Sequence, residues 1–252
     1  LHCNDENQGI SYSRTKGAEL ASGEIVAFID DDATAKPDWI QRLVGVYEST
    51  DAIAVGGDVR PDWQTAKPNF FPAEFYWLVG CVEPGFAEDG EEVRNTYGSN
   101  ISYRRAEFLE VGGYDPNTGR KGDKHLQAHE APVGIRLRRA FGKGMVFTED
   151  AVVDHKLFDY RGEFRWLVAR SFWQGYSKRV MDLLYPDAED NKRSYLYQLL
   201  THFVPKRLTN LVRSPSLARI QQLIAIFLFT AAVGLGYLYA AVTPDVVEKA
   251  NS

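Results

Sequence analysis

Three consecutive carboxylates, Asp30, Asp31 and Asp32, follow directly after a hydrophobic run at residues 24–29. The run has the length and β-branched content of a buried strand, so it delivers the acids at its carboxyl end. Ligands of open α/β sheets bind outside such strand ends, and grouped carboxylates suit Mg²⁺ or Mn²⁺ carrying a diphosphate. Because adjacent carboxylates repel one another without a cation, a metal or ligand site is favoured over a purely structural role.

A second chemistry uses the same residues. The pattern Asp30-x-Asp32-x-Thr34 after a strand resembles the nucleophile motif of haloacid-dehalogenase-type phosphatases, and residues 147–150 resemble their second acidic pair. Pro37 and a helix predicted directly after the motif, with no hairpin flap, count against this alternative.

Three further segments accompany the acidic motif in a fixed order. The segment before it reads Asn-x-Gly, four residues, then Arg-Thr-x-Gly, with the matched positions Asn7, Gly9, Arg14 and Gly17. The segments after it are Gly98-Ser99-Asn100 with Arg104-Arg105, then Gly112-Gly113-Tyr114-Asp115, and finally His129-Glu130 at the start of a helical pattern. Together the segments resemble the motifs of family 2 glycosyltransferases, in which the residue at Thr15 is Asn.

The resemblance implies roles for single residues. Asp30 and Asp32 correspond to the Asp-x-Asp pair that binds the nucleotide-sugar and its divalent metal, with Asp32 as the more direct ligand and Asp31 assisting. Glu130 corresponds to the general base, and the acid that precedes it in the family is here His129, a second candidate. A helix-terminal charge stabilised by the helix dipole is the alternative role of Glu130.

Other site residues follow from the same resemblance. His155 lies two residues beyond a predicted strand at 151–153, where some relatives carry a metal-binding or diphosphate-binding histidine; a structural histidine is the alternative. Arg14 and Asn7 are expected to bind the donor. The expected acceptor-side residues are Gly98, Ser99, Asn100, Trp173 and Gln174.

The implied reaction is an inverting sugar transfer. A carboxylate near the acceptor hydroxyl removes its proton as oxygen attacks the sugar, while Mg²⁺ or Mn²⁺ neutralises charge on the departing diphosphate. The expected donor is a nucleotide-sugar, specifically a UDP-sugar. Two carboxylate sites are therefore required, and Asp30 with Asp32 and Glu130 supply them.

Two later segments, residues 153–161 and 170–179, narrow the resemblance to the archaeal branch that acts on dolichyl-phosphate-linked sugars, in particular glucosyl-dolichyl-phosphate glucuronosyltransferases of surface-glycoprotein (S-layer) N-glycosylation. Arginine and lysine there suit a lipid phosphate, while Phe158, Phe172 and Trp173 can cover apolar surface. An ordinary amphipathic helix with its aromatics packed inward is the alternative.

Short apolar runs that alternate with helical patterns predict an α/β domain. Further strands are predicted at residues 52–55, 100–103, 145–147 and 151–153. The resemblance implies a nucleotide-diphospho-sugar transferase fold, GT-A-like and Rossmann-like. Since the chain starts at Leu1, we expect the first strands of that fold to be missing.

Residues 223–242 carry no charge and, at about 1.5 Å per helical residue, match the thickness of a bilayer core. A buried core helix is the alternative. We predict a catalytic domain at 1–160, amphipathic basic helices at 161–219 and a transmembrane helix at 220–243. Four cations precede the span and acids dominate after it, so a single-pass protein with its catalytic domain in the cytoplasm is expected. Those cations are Lys206, Arg207, Arg213 and Arg219.

The composition limits the partners. The net charge is −5 and the pI about 5.6, so no general basic field exists to attract nucleic acid. Cys3 and Cys81 are too few for a disulfide scaffold. A membrane-anchored glycosyltransferase is the preferred hypothesis, with the phosphatase and a non-catalytic sugar-binding protein as alternatives.

Overall fold

The computed structural model describes residues 2–115, 130–186 and 195–243. Its strands are β1 (Ile25–Phe28), β2 (Ala33–Ala35), β3 (Ala54–Trp63), β4 (Glu92–Val93), β5 (Ile101–Arg104) and β6 (Met145–Leu157). Its α-helices are α1 (Gly9–Leu20), α2 (Trp39–Ser49), α3 (Arg105–Glu110), α4 (Glu130–Phe141), α5 (Phe164–Leu184), α6 (Tyr195–Gln198), α7 (Val204–Arg213) and α8 (Leu217–Val242). Short 3-10 helices cover Ala73–Val79 and Asp159–Gly162, and a π-helical turn covers Leu199–Phe203.

The strands form one mixed sheet in the order β1-β5-β3-β6-β2, and β4 also pairs with β6. The pair β3 and β6 is parallel, and the other pairs are antiparallel. The predicted α/β architecture is therefore confirmed. The strands predicted at 145–147 and 151–153 are a single strand, because β6 continues through a bulge where its pairing with β3 shifts.

Helix α2 covers one face of the sheet with the predicted three-four spacing. Trp39, Leu43 and Tyr47 are buried there and pack against residues that include Ala151 and Val153. Ile40 of the same helix is 56% exposed, because its position on the helix points it away from the sheet.

The long helices α5 and α8 lie side by side. No room exists for a Cβ at Gly175, which faces the Val233 carbonyl, or at Gly236, which faces the Phe172 carbonyl, so both glycines permit close backbone approach. α8 is long and apolar enough to cross a membrane, with mean hydropathy 2.1 in its most apolar window, and 33% of that window is buried in the protein.

One core cluster extends from the sheet to the C-terminal helices. It joins Val59 of β3 and Phe75 of the first 3-10 helix to Leu167 of α5 and Phe229 of α8, all fully buried. The centroids of the Phe75 and Phe229 rings are 5.4 Å apart. This cluster packs α8 against the sheet domain and so places the helix beside the cleft described next.

Candidate active site

The donor-motif aspartates lie in the turn between two strands. β1 ends two residues before Asp30, whose carbonyl accepts a hydrogen bond from the backbone of Ala33, the first residue of β2. Ala33 stands opposite His155 in the pairing of β2 with β6. The strand register therefore brings Asp32 next to His155, and Asp31 lies exposed at the tip of the turn.

Arg14 of α1 is a buried cation beside this turn. Its side chain is 9% exposed, and it donates to Asp30 Oδ1 at 2.5 Å and to the Gly98 carbonyl at 3.0 Å. Its guanidinium carbon lies 5.8 Å from the centroid of the Phe28 ring and 5.6 Å from that of Tyr114. Aromatic faces attract a cation electrostatically, so these rings hold the guanidinium in place between the sheet and the cleft.

The predicted general base lies close to the same arginine. Glu130 Oε1 is 3.9 Å from a terminal nitrogen of Arg14. Burial lowers the pKa of Arg14, but Tyr114, Glu130 and Asp30 together raise it above its ordinary value. A Cβ at Gly98 would overlap the ends of the Glu130 and Arg14 side chains, so a larger residue there would displace both groups. One permanent cation thus joins a donor-motif carboxylate to the predicted base.

Asp30, Asp32 and Glu130 line one cleft of about 1730 Å³. The two carboxylate sites that inverting transfer requires are therefore in one solvent-accessible space. His129, the second candidate for the base, lies outside the described residues, so its role stays a prediction.

Asp32 is bound by Arg161 of the second 3-10 helix. Arg161 donates to Asp32 Oδ2 at 2.8 Å and to His155 Nε2 at 2.8 Å. Because a guanidinium has only donors, His155 Nε2 accepts the hydrogen bond from Arg161. The ring proton is therefore assigned to Nδ1, which lies 3.8 Å from the Cys81 sulfur. Burial lowers the pKa of His155 below its ordinary value and Arg161 adds to this effect, while Asp32 opposes it. The imidazole is therefore neutral at neutral pH.

The position of the imidazole is fixed by close packing. Gly80 has a left-handed backbone with φ of 77°, and a Cβ there would come within 3.3 Å of the His155 ring. Glycine is favoured at this position for both reasons. The neutral ring presents an unprotonated Nε2 at 3.3 Å from Asp32 Oδ1.

The chemistry of this pair fits a divalent metal. A neutral imidazole and a carboxylate are both metal-ligand types, and a metal binds the deprotonated forms. Among the described residues, no group of three or more His, Cys, Asp and Glu side chains converges on one point. Asp32 and His155 are thus two neighbouring side chains of metal-ligand type, and their role as ligands remains a prediction.

Four of the five predicted acceptor-side residues line the cleft, namely Gly98, Ser99, Trp173 and Gln174. Asn100 does not line it. Its side chain is fully buried, donates to the carbonyls of Asp58 and Ala151 at 2.9 and 2.7 Å, and accepts from the Trp39 indole at 2.8 Å. The amide links β3, β6 and α2. Asn100 therefore has a structural position in the core and does not face the acceptor, contrary to the prediction from its motif.

Asn7 also lies away from the cleft. Its side chain is exposed and its Oδ1 accepts from the backbone of Gly9 at 3.0 Å, at the start of α1. The motif asparagine therefore stabilises the helix that carries Arg14. Thr15, which replaces the family asparagine, accepts from the Tyr114 backbone at 2.9 Å and ties α1 to the loop after α3.

The sequence did not identify Arg161 or Tyr114 as site residues. Arg161 lay inside the segment 153–161, but its contact with Asp32 spans 129 positions and has no local signal. Glu149 and Asp150, proposed as a second acidic pair for a phosphatase, lie at the bulge of β6 and do not line the cleft.

The cleft continues from the carboxylates along two helices. On α5 its lining includes Trp166, Arg170, Trp173, Gln174 and Lys178, and on α8 it includes Thr230, Val233, Gly234, Tyr237 and Leu238. These positions recur every three or four residues, so each set lies on one face of its helix. The space is lined by the sheet domain on one side and by the apolar helix α8 on the other.

The fold is similar to that of a solved glycosyltransferase. A mannosyltransferase from Pyrobaculum calidifontis, solved in complex with GDP-Man and Mn²⁺, aligns over 97% of this chain and 68% of its own, with a TM-score of 0.53 and 16% identity. This likeness supports the GT-A-like fold.

Sequence relatives identify the family. The chain is 68% identical to the glucosyl-dolichyl phosphate glucuronosyltransferase of Haloferax volcanii, over its whole length and 81% of that protein. It is 40% identical to glycosyltransferase AglE of the same organism, over 53% of this chain and 42% of the relative. The family model for glycosyl transferase family 2 matches residues 3–112. With the carboxylates of its motifs gathered in one cleft, the chain is a glycosyltransferase and belongs to glycosyl transferase family 2.

Proposed function

We propose that this protein transfers a glucuronosyl residue, with inversion, from a nucleotide-sugar to the glucose of a dolichyl-phosphate-linked acceptor. The observation that carries the proposal is the position of Arg14 between Asp30, at 2.5 Å, and Glu130, at 3.9 Å. This contact puts a donor-motif acid and an acceptor-side acid in one cleft. The full-length similarity to the Haloferax enzyme supports the choice of sugars, and a UDP-sugar is the proposed donor.

Glu130 is the proposed general base. Its carboxylate takes the proton from the acceptor hydroxyl while that oxygen attacks the anomeric carbon, and the nucleotide diphosphate leaves from the opposite face of the sugar. Arg14 orients Glu130, because its positive charge lies 3.9 Å from the carboxylate oxygen. His129, directly before the base, is proposed as a secondary participant.

Asp32 and His155 are the proposed metal-binding residues, with Asp30 on the same turn. When bound, Mg²⁺ or Mn²⁺ would offset negative charge on the departing diphosphate. Arg161 already places a positive charge against both ligands, with 2.8 Å contacts to each. The site is thus arranged to hold positive charge at the donor end.

The proposed location is the cell membrane, with α8 as a single span and the sheet domain in the cytoplasm. Length and hydropathy of α8 support the span. Lys206, Arg207, Arg213 and Arg219 precede its apolar part, which supports the orientation. This side of the membrane gives the enzyme access to a cytoplasmic nucleotide-sugar and to a membrane lipid, as cell-surface protein glycosylation requires. Membership of the glycosyltransferase family argues against a phosphatase, and 68% identity to a glucuronosyltransferase over the whole chain argues against a non-catalytic protein.

The experiment compares Glu130→Gln with the wild-type protein in a lipid-acceptor assay. General-base assistance contributes about 10²–10⁴ in rate, so turnover should fall by that factor while nucleotide affinity is unchanged. Glu48→Gln, an exposed carboxylate on α2 outside the cleft, is the matched control and should retain full activity. Full turnover in Glu130→Gln would disprove the assignment of the base. A panel of nucleotide-sugars in the same assay identifies the donor, and failure to use UDP-glucuronate would disprove the proposed sugar.

A further inference from the structure

The wall of the cleft formed by α5 carries two cations that the sugar-transfer chemistry does not use. Arg170 and Lys178 are eight residues apart and both line the cleft, with Gln174 between them at the same four-residue spacing. On an α-helix this spacing puts all three on one face, with about 12 Å between the first and the last Cα. The stripe therefore presents positive charge and an amide along one side of the cleft.

Arg170 is held in a defined position. Its Nε donates to the Leu78 carbonyl at 3.1 Å, and its guanidinium carbon lies 6.0 Å from the centroid of the Trp166 ring. These contacts orient a planar fork, the geometry that recognises phosphate oxygens in pairs. Lys178 is exposed and carries its positive charge two turns further along the helix.

The stripe leads toward the proposed base. Met181, one turn after Lys178, packs against Ala131 and Ile135 of α4, and Ala131 directly follows Glu130. Lys178 is therefore on the part of α5 nearest to Glu130, and Arg170 is further along the cleft. A sugar whose hydroxyl reaches Glu130 would have its other end beside this stripe.

The adjoining wall, formed by α8, suits a hydrocarbon chain. Val233, Gly234 and Leu238 of α8 line the cleft, and open space surrounds the position where a Cβ of Gly234 would stand. α8 is the helix with the length and hydropathy of a membrane span. Positive charge on one wall and apolar surface on the other match an amphiphile with one anionic group between a sugar and a lipid chain.

We propose that Arg170 and Lys178 bind the phosphate of the lipid-linked acceptor, with its first isoprene units against Val233, Gly234 and Leu238. The inference rests on the proposed function and adds the site at which the acceptor phosphate is recognised. It predicts that the enzyme selects glycosyl phosphates over uncharged glycosides. Arg170 lies toward the donor end, because its partner Leu78 is two residues before Gly80, which lies against the His155 ring.

The test is calorimetric titration of the full chain in neutral detergent, without donor, using farnesyl glucosyl phosphate and farnesyl glucoside. The phosphate compound should bind at least about tenfold more tightly, as expected for charge-assisted hydrogen bonds. Lys178→Gln should reduce this preference about tenfold, and Arg170→Gln should reduce it further. Arg165→Gln removes a charge from the same helix outside the cleft and should change nothing. Lys178→Gln is the decisive variant if Arg170→Gln fails to fold.

Four results would overturn the proposal. The wild type could bind both compounds equally, or Lys178→Gln could keep the full preference. If the two variants weakened binding of UDP and not of the lipid, Arg170 and Lys178 would be assigned to the donor site. Equal competition by phosphatidylglycerol would indicate a general lipid-headgroup site. Transfer activity, measured on the same preparation, tests the proposed function independently, because binding of the phosphate lipid without glucuronosyl transfer would contradict only that function.

Discussion

The donor end and the acceptor end of the cleft are stabilised by different means. At the donor end Asp30 is paired with Arg14 and Asp32 with Arg161, and three of these four side chains are less than 20% exposed. The acceptor end is bounded by two helices in backbone contact through glycines, with aromatic and apolar side chains between them.

This difference separates two functions. Fixed, paired charges provide a preorganised environment for a diphosphate and its cation, because the protein does not have to reorganise when charge develops. Packing of α5 against α8 leaves room for a long lipid and depends on how closely the two helices approach. Donor chemistry should therefore respond to single charges, and binding of the lipid chain should respond to helix packing.

Among variants that distinguish the two ends, the largest effect is expected from Asp32→Asn, which removes the charge opposite His155 and Arg161. Loss of a metal ligand costs several kcal/mol of transition-state stabilisation, so kcat/KM should fall about 10²–10³-fold. Binding of the lipid acceptor should be unchanged, as calorimetry without donor would measure. The control is Asp38→Asn, a surface acid paired with Arg42. Wild-type kcat/KM in Asp32→Asn would contradict the donor-end assignment.

Gly236→Ala should disturb the acceptor end and leave the donor end intact. The added Cβ would meet the Phe172 carbonyl, so α8 must move away from α5, and overpacking of this kind costs about 1–3 kcal/mol. Thermal unfolding in detergent should show lower stability, lipid binding should weaken and UDP binding should persist. Gly45→Ala, on α2 outside the cleft, where nothing lies within 4 Å of the added Cβ, is the matched control. Equal behaviour of the two variants would mean that helix contact does not form the acceptor end.

Arg161→Gln tests whether Arg161 and a divalent metal compete for Asp32 and His155. Arg161 occupies Asp32 Oδ2 and His155 Nε2, so removing it should raise the affinity for Mn²⁺ in the absence of nucleotide by about tenfold, or about 1.4 kcal/mol. Calorimetry or electron paramagnetic resonance of Mn²⁺ measures the change. Arg60→Gln, an exposed ion-pair arginine outside the cleft, should leave the Mn²⁺ affinity unchanged. A lower affinity in Arg161→Gln would show instead that Arg161 supports the metal ligands.

The same contrast explains which residues the sequence could predict. Asp30, Asp32 and Glu130 reach the cleft because strand ends and helix starts fix them locally, and short motifs record those positions. The pairing of Asp32 with Arg161 depends on the strand register that brings residues 129 positions apart together, which no local pattern encodes. Asn100 shows the converse case. Asn100 matches the family motif, but its amide points into the core, where it makes three hydrogen bonds. A motif alone does not reveal the direction of a side chain.

Asn7→Ala should have the smallest effect on activity. It tests whether the donor end extends to the residues before α1. Asn7 contacts the backbone of Gly9 at 3.0 Å and lies outside the cleft, so its loss removes one exposed hydrogen bond at the start of α1. Such a change costs about 0.5–1 kcal/mol of stability. The KM for the nucleotide-sugar should stay the same, because α1 retains its contacts through Thr15 and Arg14. A tenfold rise in that KM, with unaltered thermal stability, would return Asn7 to the donor site and extend that site to the first turn of α1.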